Sequence, residues 1–321
     1  MHSLIARNLS VRFASSSSTA NAKKLLVVGG SGFVGYEVCR VAALRGLDVI
    51  SLSRSGEPSI HRRNSRPMWA EKVQWEKADA LDPPSYRSFL QECSGIVHTV
   101  GILLEADYKG IVRSTNMEEL AEGVRSLFDG GASANPMKKR RTVEKASASN
   151  EVNHEQHRSA EQGGKYQAKA HDYTYETMNR DSAITVAKEA ASLGGTRAFV
   201  YLSASTMPFI NPRYISTKRE AEQALLSMSS SIRPVILRPG MMYSPDSRPV
   251  TMPLVAALIA LNRIGKPPQP LGAMVPEWLC TAANTPPLRV ETVAQMAVEA
   301  AVNDAYRGVY KVDDIQKFEQ Q

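Results

Sequence analysis

Lys24-Leu25-Leu26-Val27-Val28-Gly29-Gly30-Ser31-Gly32-Phe33-Val34-Gly35 is the stretch that decides how this chain is read. An apolar run leads straight into glycines spaced G-x-x-G-x-x-G, and a helix-periodic stretch (Phe33, Val34, Val38, Val41, Ala42) follows. Strand, glycine turn and helix in that order are the context in which such a pattern carries chemistry. Gly29 permits the tight turn, Gly32 lets the backbone approach a pyrophosphate, and Gly35 lets the helix pack near the strand. Phosphates would lie over the helix N-terminus, where backbone N–H groups and the helix dipole favour negative charge. The spacing differs from the G-x-G-x-x-G of the standard dinucleotide fingerprint. The bland alternative is a glycine-rich turn that binds nothing.

Outward from this turn, strand and helix signals alternate. Asp48 to Ser53 reads as a second strand, completing a βαβ unit. Val73-Gln74-Trp75 reads as a third, with its exit at Ala78-Asp79-Ala80, and Gly95 to Gly101 as a fourth. Tyr175 to Asn179 enters a helix that continues through Ala183, Val186, Ala187 and Ala190. A fifth strand at Ala198 to Ser203, a helix from about Tyr214 to Met228 and a sixth strand at Pro234 to Arg238 follow. Such alternation predicts an α/β fold, a doubly wound parallel sheet covered on both faces. Residues 241–312 mix prolines with a helix over Thr292 to Ala301 and a strand over Gly308 to Val312. They are expected to form a small C-terminal lobe over the carboxyl ends of the strands, where ligands bind in such sheets. Residues 313–321 are left as a tail.

One stretch precedes this domain, which runs over residues 23–312, and a second interrupts it. Residues 1–22 are basic, serine-rich and free of acid: the first carboxylate of the chain is Glu37. That composition predicts a mitochondrial transit peptide, with a plain N-terminal tail as the alternative. From about 129 to 172 the sequence is polar, with Gly-Gly pairs, Ala-Ser repeats and Lys138-Lys139-Arg140-Arg141. A packed core cannot be made from it, so a disordered insertion is expected. The formal net charge is +7, but no base-stacking module accompanies it, so nucleic acid is not an expected partner. No apolar run approaches the roughly 20 residues of a membrane span. The best, Pro253 to Leu261, suits a buried or partner-facing helix. Cys39, Cys93 and Cys280 are scattered without metal-ligand spacing and read as reduced structural residues.

Candidate chemistry lies in Tyr214-Ile215-Ser216-Thr217-Lys218. Four residues apart on a helix, the phenol and the ammonium share one face. A nearby ammonium stabilises phenolate and draws the tyrosine toward general acid/base work. Ser203 and Ser205, in the tail of the fifth strand, could hold a reacting oxygen near Tyr214; their alternative role is to cap the strand end. Cofactor choice follows from Ser53-Arg54-Ser55, after the second strand. An acid there would bind a ribose 2′-hydroxyl, whereas Arg54 suits a 2′-phosphate through charge-assisted bonds. NADP(H) is therefore favoured over NAD(H), although Arg54 could instead only stack on adenine.

These residues resemble, in type and order, those of the short-chain dehydrogenase/reductase superfamily, in its extended or atypical form. The glycine turn, Asp79, the Val97-His98 strand end, Asn179, Ser205, Tyr214, Lys218 and Arg238-Pro239-Gly240 all stand in family order. The resemblance implies that Gly29, Ser31, Gly32, Phe33, Val34, Gly35, Arg54, Asp79, Val100 and Lys218 contact the cofactor. Asp79 would meet adenine and Lys218 the nicotinamide ribose. It further implies catalysis by Tyr214 and Lys218 with Ser205. Two features depart from the pattern: Ser205 and Tyr214 are unusually close in sequence, and the insertion follows the fourth strand. The chain is most similar to mitochondrial atypical members. Among these are the nucleotide-binding accessory subunit of respiratory complex I and a fungal subunit associated with the coenzyme Q biosynthesis complex. That similarity implies an NADP-dependent reductase acting on a quinone-pathway ligand, or a non-catalytic accessory subunit of a mitochondrial complex. Either would reside in the matrix, peripheral to the inner membrane.

Overall fold

The computed structural model describes residues 24–59, 61, 66–102, 174–194, 197–207, 210–247, 249, 252–264 and 285–318. The expected transit peptide at 1–22, the expected insertion at 129–172 and Cys280 lie outside these residues. Strand β1 (Lys24–Val28) carries Leu25, Leu26, Val27 and Val28, all buried. Such an unbroken apolar run belongs to a strand covered on both faces. There follow α1 (Phe33–Leu44), β2 (Asp48–Ser53), β3 (Val73–Lys77), α2 (Arg87–Glu92) and β4 (Gly95–His98). A π-helical turn over Glu176–Asp181 runs into α3 (Ser182–Ser192), β5 (Arg197–Leu202), α4 (Pro212–Ser227) and β6 (Ile232–Leu237). The rest comprises β7 (Met242–Tyr243), α5 (Met252–Ile264), β8 (Leu288–Arg289), α6 (Val290–Val302), β9 (Gly308–Tyr310) and α7 (Val312–Phe318).

Seven strands form one sheet in the order β3-β2-β1-β4-β5-β6-β9, and every pair is parallel. β2 and β3 extend to one side of β1, while β4, β5, β6 and β9 extend to the other. The chain direction across the sheet thus reverses between β1 and β4, and the crevice at such a switch point is where ligands bind. Side chains alternate between faces as the pleat requires. Leu25 and Val27 share a core with α1, α6 and α7; Leu26 and Val28 share one with α2, α3 and α4. Each fully buried Leu, Ile or Val contributes about 1.5–3 kcal/mol relative to exposure.

The C-terminal expectations change. Within the lobe read at 241–312, α6 lies against the sheet beside α1: Val293, Ala294, Ala297, Val298 and Ala301 join the core that holds Val38 and Ala42. An apolar face repeating at helical spacing needs an apolar partner, and the sheet supplies it. β9 extends the sheet itself beside β6. The tail read at 313–321 instead begins with most of α7, whose Val312 and Ile315 are buried. Two strands are shorter than expected. β4 stops at His98, where its pairing with Val28 ends, and β9 stops at Tyr310 because Val312 already starts a helix. Among the described residues, no helix is long and apolar enough to cross a membrane.

Candidate functional site

The glycine turn lies at the carboxyl end of β1, beside β4. Gly29 has φ +92°, a left-handed conformation that favours glycine. Its N–H donates to Leu52 O at 2.8 Å, and Gly32 N–H donates to Gly29 O at 2.9 Å, closing the turn. A Cβ on Gly35 would stand 2.2 Å from Gly29 O and 2.7 Å from Thr99 Oγ1, so helix and turn touch backbone to backbone. Thr99 Oγ1 donates to Val28 O at 2.9 Å and ties the residues after β4 to the end of β1. Val100 comes to the same place: its backbone nitrogen is 3.1 Å from a Cβ built on Gly29. Gly30, absent from the expected contacts, is constrained as well, with a built Cβ only 2.0 Å from Ser51 Oγ on β2.

α1 starts at Gly32 with no side-chain cap and no acid in its first turn. An uncapped helix start offers its unmatched N–H groups and the positive end of its dipole to an anion. Ser31 and Gly32 keep solvent access there, while Val34 and Gly35 are buried beneath. This donor set fits the phosphates of a dinucleotide.

Beyond β2, Ser55 Oγ lies 3.3 Å from Ser31 Oγ, so the turn bearing Arg54 abuts the glycine turn. Ser53 Oγ donates to Gly56 O at 2.8 Å and closes that turn. Asp79, 4% exposed, has structural work of its own. Its Oδ1 accepts the Leu81 N–H at 3.0 Å, and its N–H donates to Ser85 Oγ at 3.1 Å. His61 fastens the loop after β2 to α1, with one ring nitrogen 3.1 Å from Tyr36 Oη and the other 3.1 Å from Glu57.

The candidate catalytic residues gather on the other side of the switch. The π-helical turn holds Asn179, fully buried, whose amide accepts the Ile102 N–H at 2.9 Å and donates to Ile102 O at 3.0 Å. Tyr201 Oη donates to Asn179 O at 2.5 Å. A Cβ on Gly101 would meet Asn179 Oδ1 at 2.7 Å and Lys218 Nζ at 3.0 Å, which places the ammonium against the backbone after β4. Lys218 Nζ also donates to Leu202 O at 2.9 Å and lies 4.7 Å from the Tyr201 ring centre. Burial draws Lys218 down to about 7, against the attraction of Glu222. Tyr214 packs with Ile102, Tyr175, Met178 and Ala204, its ring edge-on to Tyr175 at 5.9 Å. Burial and then Tyr175 push its phenol up, while Arg219 opposes them. Helical spacing alone pointed to a phenol eased toward ionisation. Enclosure in an apolar cluster reverses that direction, because desolvation disfavours the phenolate.

His98 ends β4 fully buried, with Nε2 3.4 Å from Ser182 Oγ and the ring beside Phe199 and Tyr201. Burial first, and the Lys218 ammonium second, bring it down to about 3. In the unfolded chain it titrates near 6.5, so between these values the unfolded chain holds the extra proton. Folding stability therefore falls as pH drops through this window, by up to about 1.4 kcal/mol per unit from this residue. His98→Gln is expected to flatten that slope in urea unfolding between about pH 6 and about pH 4.5. An unchanged slope would show that the ring is already protonated in the folded protein.

The two serines part ways. Ser203 donates to Glu222 and receives Arg219 Nη1 at 3.2 Å, so its hydroxyl is engaged in an ionic cluster. Ser205, anchored through its N–H to Pro239 O at 2.8 Å, lines a cavity together with Arg219 and Arg238. Glu222 is 2% exposed and takes Arg219 Nη1 at 2.5 Å and Arg238 Nε at 3.0 Å, with Arg238 Nη2 on its second oxygen. Sequence reasoning missed this centre. A signal was present: Glu222 stands in the apolar stripe of α4 with Ala221 and Leu225, four residues after Lys218. Cys39 and Cys93 are free and buried, and burial pushes both thiols up to about 12.

Residues 25–129 match the NAD dependent epimerase/dehydratase family. MIOREX complex component 2 of Saccharomyces cerevisiae is 33% identical over 233 residues, covering 68% of this chain and 73% of that protein. The chain belongs to the NAD-dependent epimerase/dehydratase family. It therefore has the NAD(P)-binding fold, as its resemblance to the short-chain dehydrogenases predicts. An uncharacterized chloroplastic protein of Arabidopsis thaliana shares 33% identity over 79 residues, 25% of each chain. Among solved structures, ElxO with NADP bound aligns at a TM-score of 0.51 and 14% identity, over 94% of this chain and 100% of that one. At that identity the likeness shows the fold alone, and the fold is the family's.

Proposed function

We propose that this protein binds NADP(H) in preference to NAD(H) and serves as a nucleotide-holding subunit of a mitochondrial protein assembly, peripheral to the inner membrane. The observation that carries this reading is the uncapped, acid-free start of α1, closed against Gly29 by Gly35. Arg54, in the turn beside Ser31, supports NADP(H) through the 2′-phosphate. The acid-free leader supports a mitochondrial location, and the name of the yeast relative, a complex component, supports membership of an assembly. Resemblance to the coenzyme Q-associated subunit supports coenzyme Q biosynthesis as the assembly's task.

A second reading, an NADP-dependent reductase acting on a quinone-pathway ligand, is favoured by Lys218 and Asn179 standing together against Gly101. When bound, the nicotinamide would supply a hydride. Tyr214 would deliver the proton to the substrate oxygen, and Lys218, poised near neutrality, would hold the ribose. Tyr214→Phe separates the readings, since losing one hydroxyl changes stability by only about 0.5–1.5 kcal/mol. For a nucleotide-holding subunit, NADPH affinity, partner recovery from mitochondria and the quinone-pathway metabolites all stay unchanged. Collapse of those metabolites at normal protein level would make the protein an enzyme. Failure of NADPH and NADH alike to bind at about millimolar concentration would overturn both readings.

A further inference from the structure

A second polar site lies past the ends of β5, β6 and β9. Ser205, Thr206, Arg219, Arg238, Thr285 and Lys311 line a cavity of about 320 Å³, a volume in the range of small-molecule sites. Laterally it is offset from the glycine turn: β5, followed by Ser205 and Thr206, is the second strand along from β1 and β6 the third, with strands about 4.8 Å apart. Among the described residues its wall has three cations, three hydroxyls and one carboxylate, Asp313. Val312 is the apolar residue among the described lining residues. An aromatic or aliphatic ligand would therefore gain little here, whereas an oxyanion would meet donors from several directions.

The two arginines are held in place from behind. Glu222 is not in the wall, yet it receives Arg238 through Nε and Nη2 and Arg219 through Nη1. Arg219 Nη2 is fixed further on Ala204 O at 2.9 Å. A buried carboxylate that locks two guanidiniums leaves little conformational entropy to lose when a ligand arrives. With Glu222 counted, the three cations still exceed the two carboxylates. Lys311 is exposed and can swing its ammonium over the opening.

We propose that this cavity binds the oxyanion group, carboxylate or phosphate, of the small molecule the protein handles, at a place separate from the dinucleotide phosphates. Its assignment to a substrate rests on the dinucleotide reading; the anion site itself does not. The test uses the full chain with NADPH bound, titrated by calorimetry with inorganic phosphate and, in a parallel arm, with malonate. One of the two is expected to bind at millimolar concentration, and the stronger arm identifies phosphate or carboxylate as the group preferred. Lys311→Glu is expected to weaken that binding about tenfold at low salt, because two charge units change close to the anion. Thr206→Asp, at a second exposed wall position, is expected to do the same, while Lys317→Glu, on the helix α7 that follows Lys311, leaves binding intact. Absence of binding by either anion up to about 50 mM would overturn the proposal. So would an equal response of the Lys311 and Lys317 variants, or displacement of the anion by NADPH. NADPH binding is read separately from its own fluorescence. If NADPH fails to bind, the anion titration of the free chain still reports on the cavity.

Discussion

Gly35→Ala is expected to abolish NADPH binding and to cost about 3 kcal/mol of folding stability, the upper part of the range for overpacked sites. The new methyl would stand 2.2 Å from Gly29 O and 2.7 Å from Thr99 Oγ1. The first neighbour is backbone of the turn and cannot rotate away. The second is held by its bond to Val28 O. Relief requires α1 to move off β1, which opens the turn and takes the helix N-terminus away from the phosphates. Gly46→Ala is the control: Gly46 has φ +76° but no atom within 4 Å of a built Cβ. It should cost only the roughly 1–2 kcal/mol of a left-handed residue and leave NADPH affinity intact. Nucleotide fluorescence and urea unfolding measure both effects, and equal behaviour of the two variants would show that the close approach at Gly35 is not essential.

Glu222→Gln is the other large effect, about 3–5 kcal/mol of destabilisation. Removing one partner of a buried ionic group strands the others, here Arg219 and Arg238 together with the Ser203 hydroxyl. Glutamine keeps the volume and one acceptor but cannot balance two guanidiniums. The urea midpoint should fall by about 1 M or more, given the usual dependence of stability on urea. A change of a few tenths of a molar unit would mean that the cluster is solvated well enough to behave as a surface ion pair.

Much of the fold was legible because its strands are buried on both faces. Leu25 to Val28 and Gly95 to His98 read as strands from composition alone, and the glycine turn announced the βα junction. Strand ends were less legible, because register with a neighbour sets them: β4 ends where Val28 ends. The helix over Val290–Val302 was visible, but its partner was not, since sequence periodicity shows that a face is apolar without showing what covers it. At the site, Gly29 and Gly35 act as the motif physics requires, and Val100 and Ser55, next to Arg54, come to the turn. Tyr214 shows the limit. Its spacing to Lys218 is a local fact, whereas the ring's enclosure by Ile102, Tyr175 and Met178 comes from distant segments. Glu222 was hidden for the same reason: Arg219 is one turn away on α4, but Ser203 and Arg238 reach it from just past the ends of β5 and β6.

The contact between α1 and α6 has a consequence for how the protein is made. Arg40 Nη2 reaches Glu291 at 2.9 Å and Arg45 Nη1 reaches Glu299 at 3.0 Å, across 251 and 254 residues of sequence. While the chain is being synthesised, the helix that begins at the glycine turn leaves the ribosome early and its cover leaves late. Contacts this long in sequence are slow to form, and the apolar face of α1 stays a hazard for self-association until they do. Cover for the helix that carries the glycine turn is thus a property of the finished chain. A product cut short before residue 290 would carry the complete glycine motif on a helix with one flank bare.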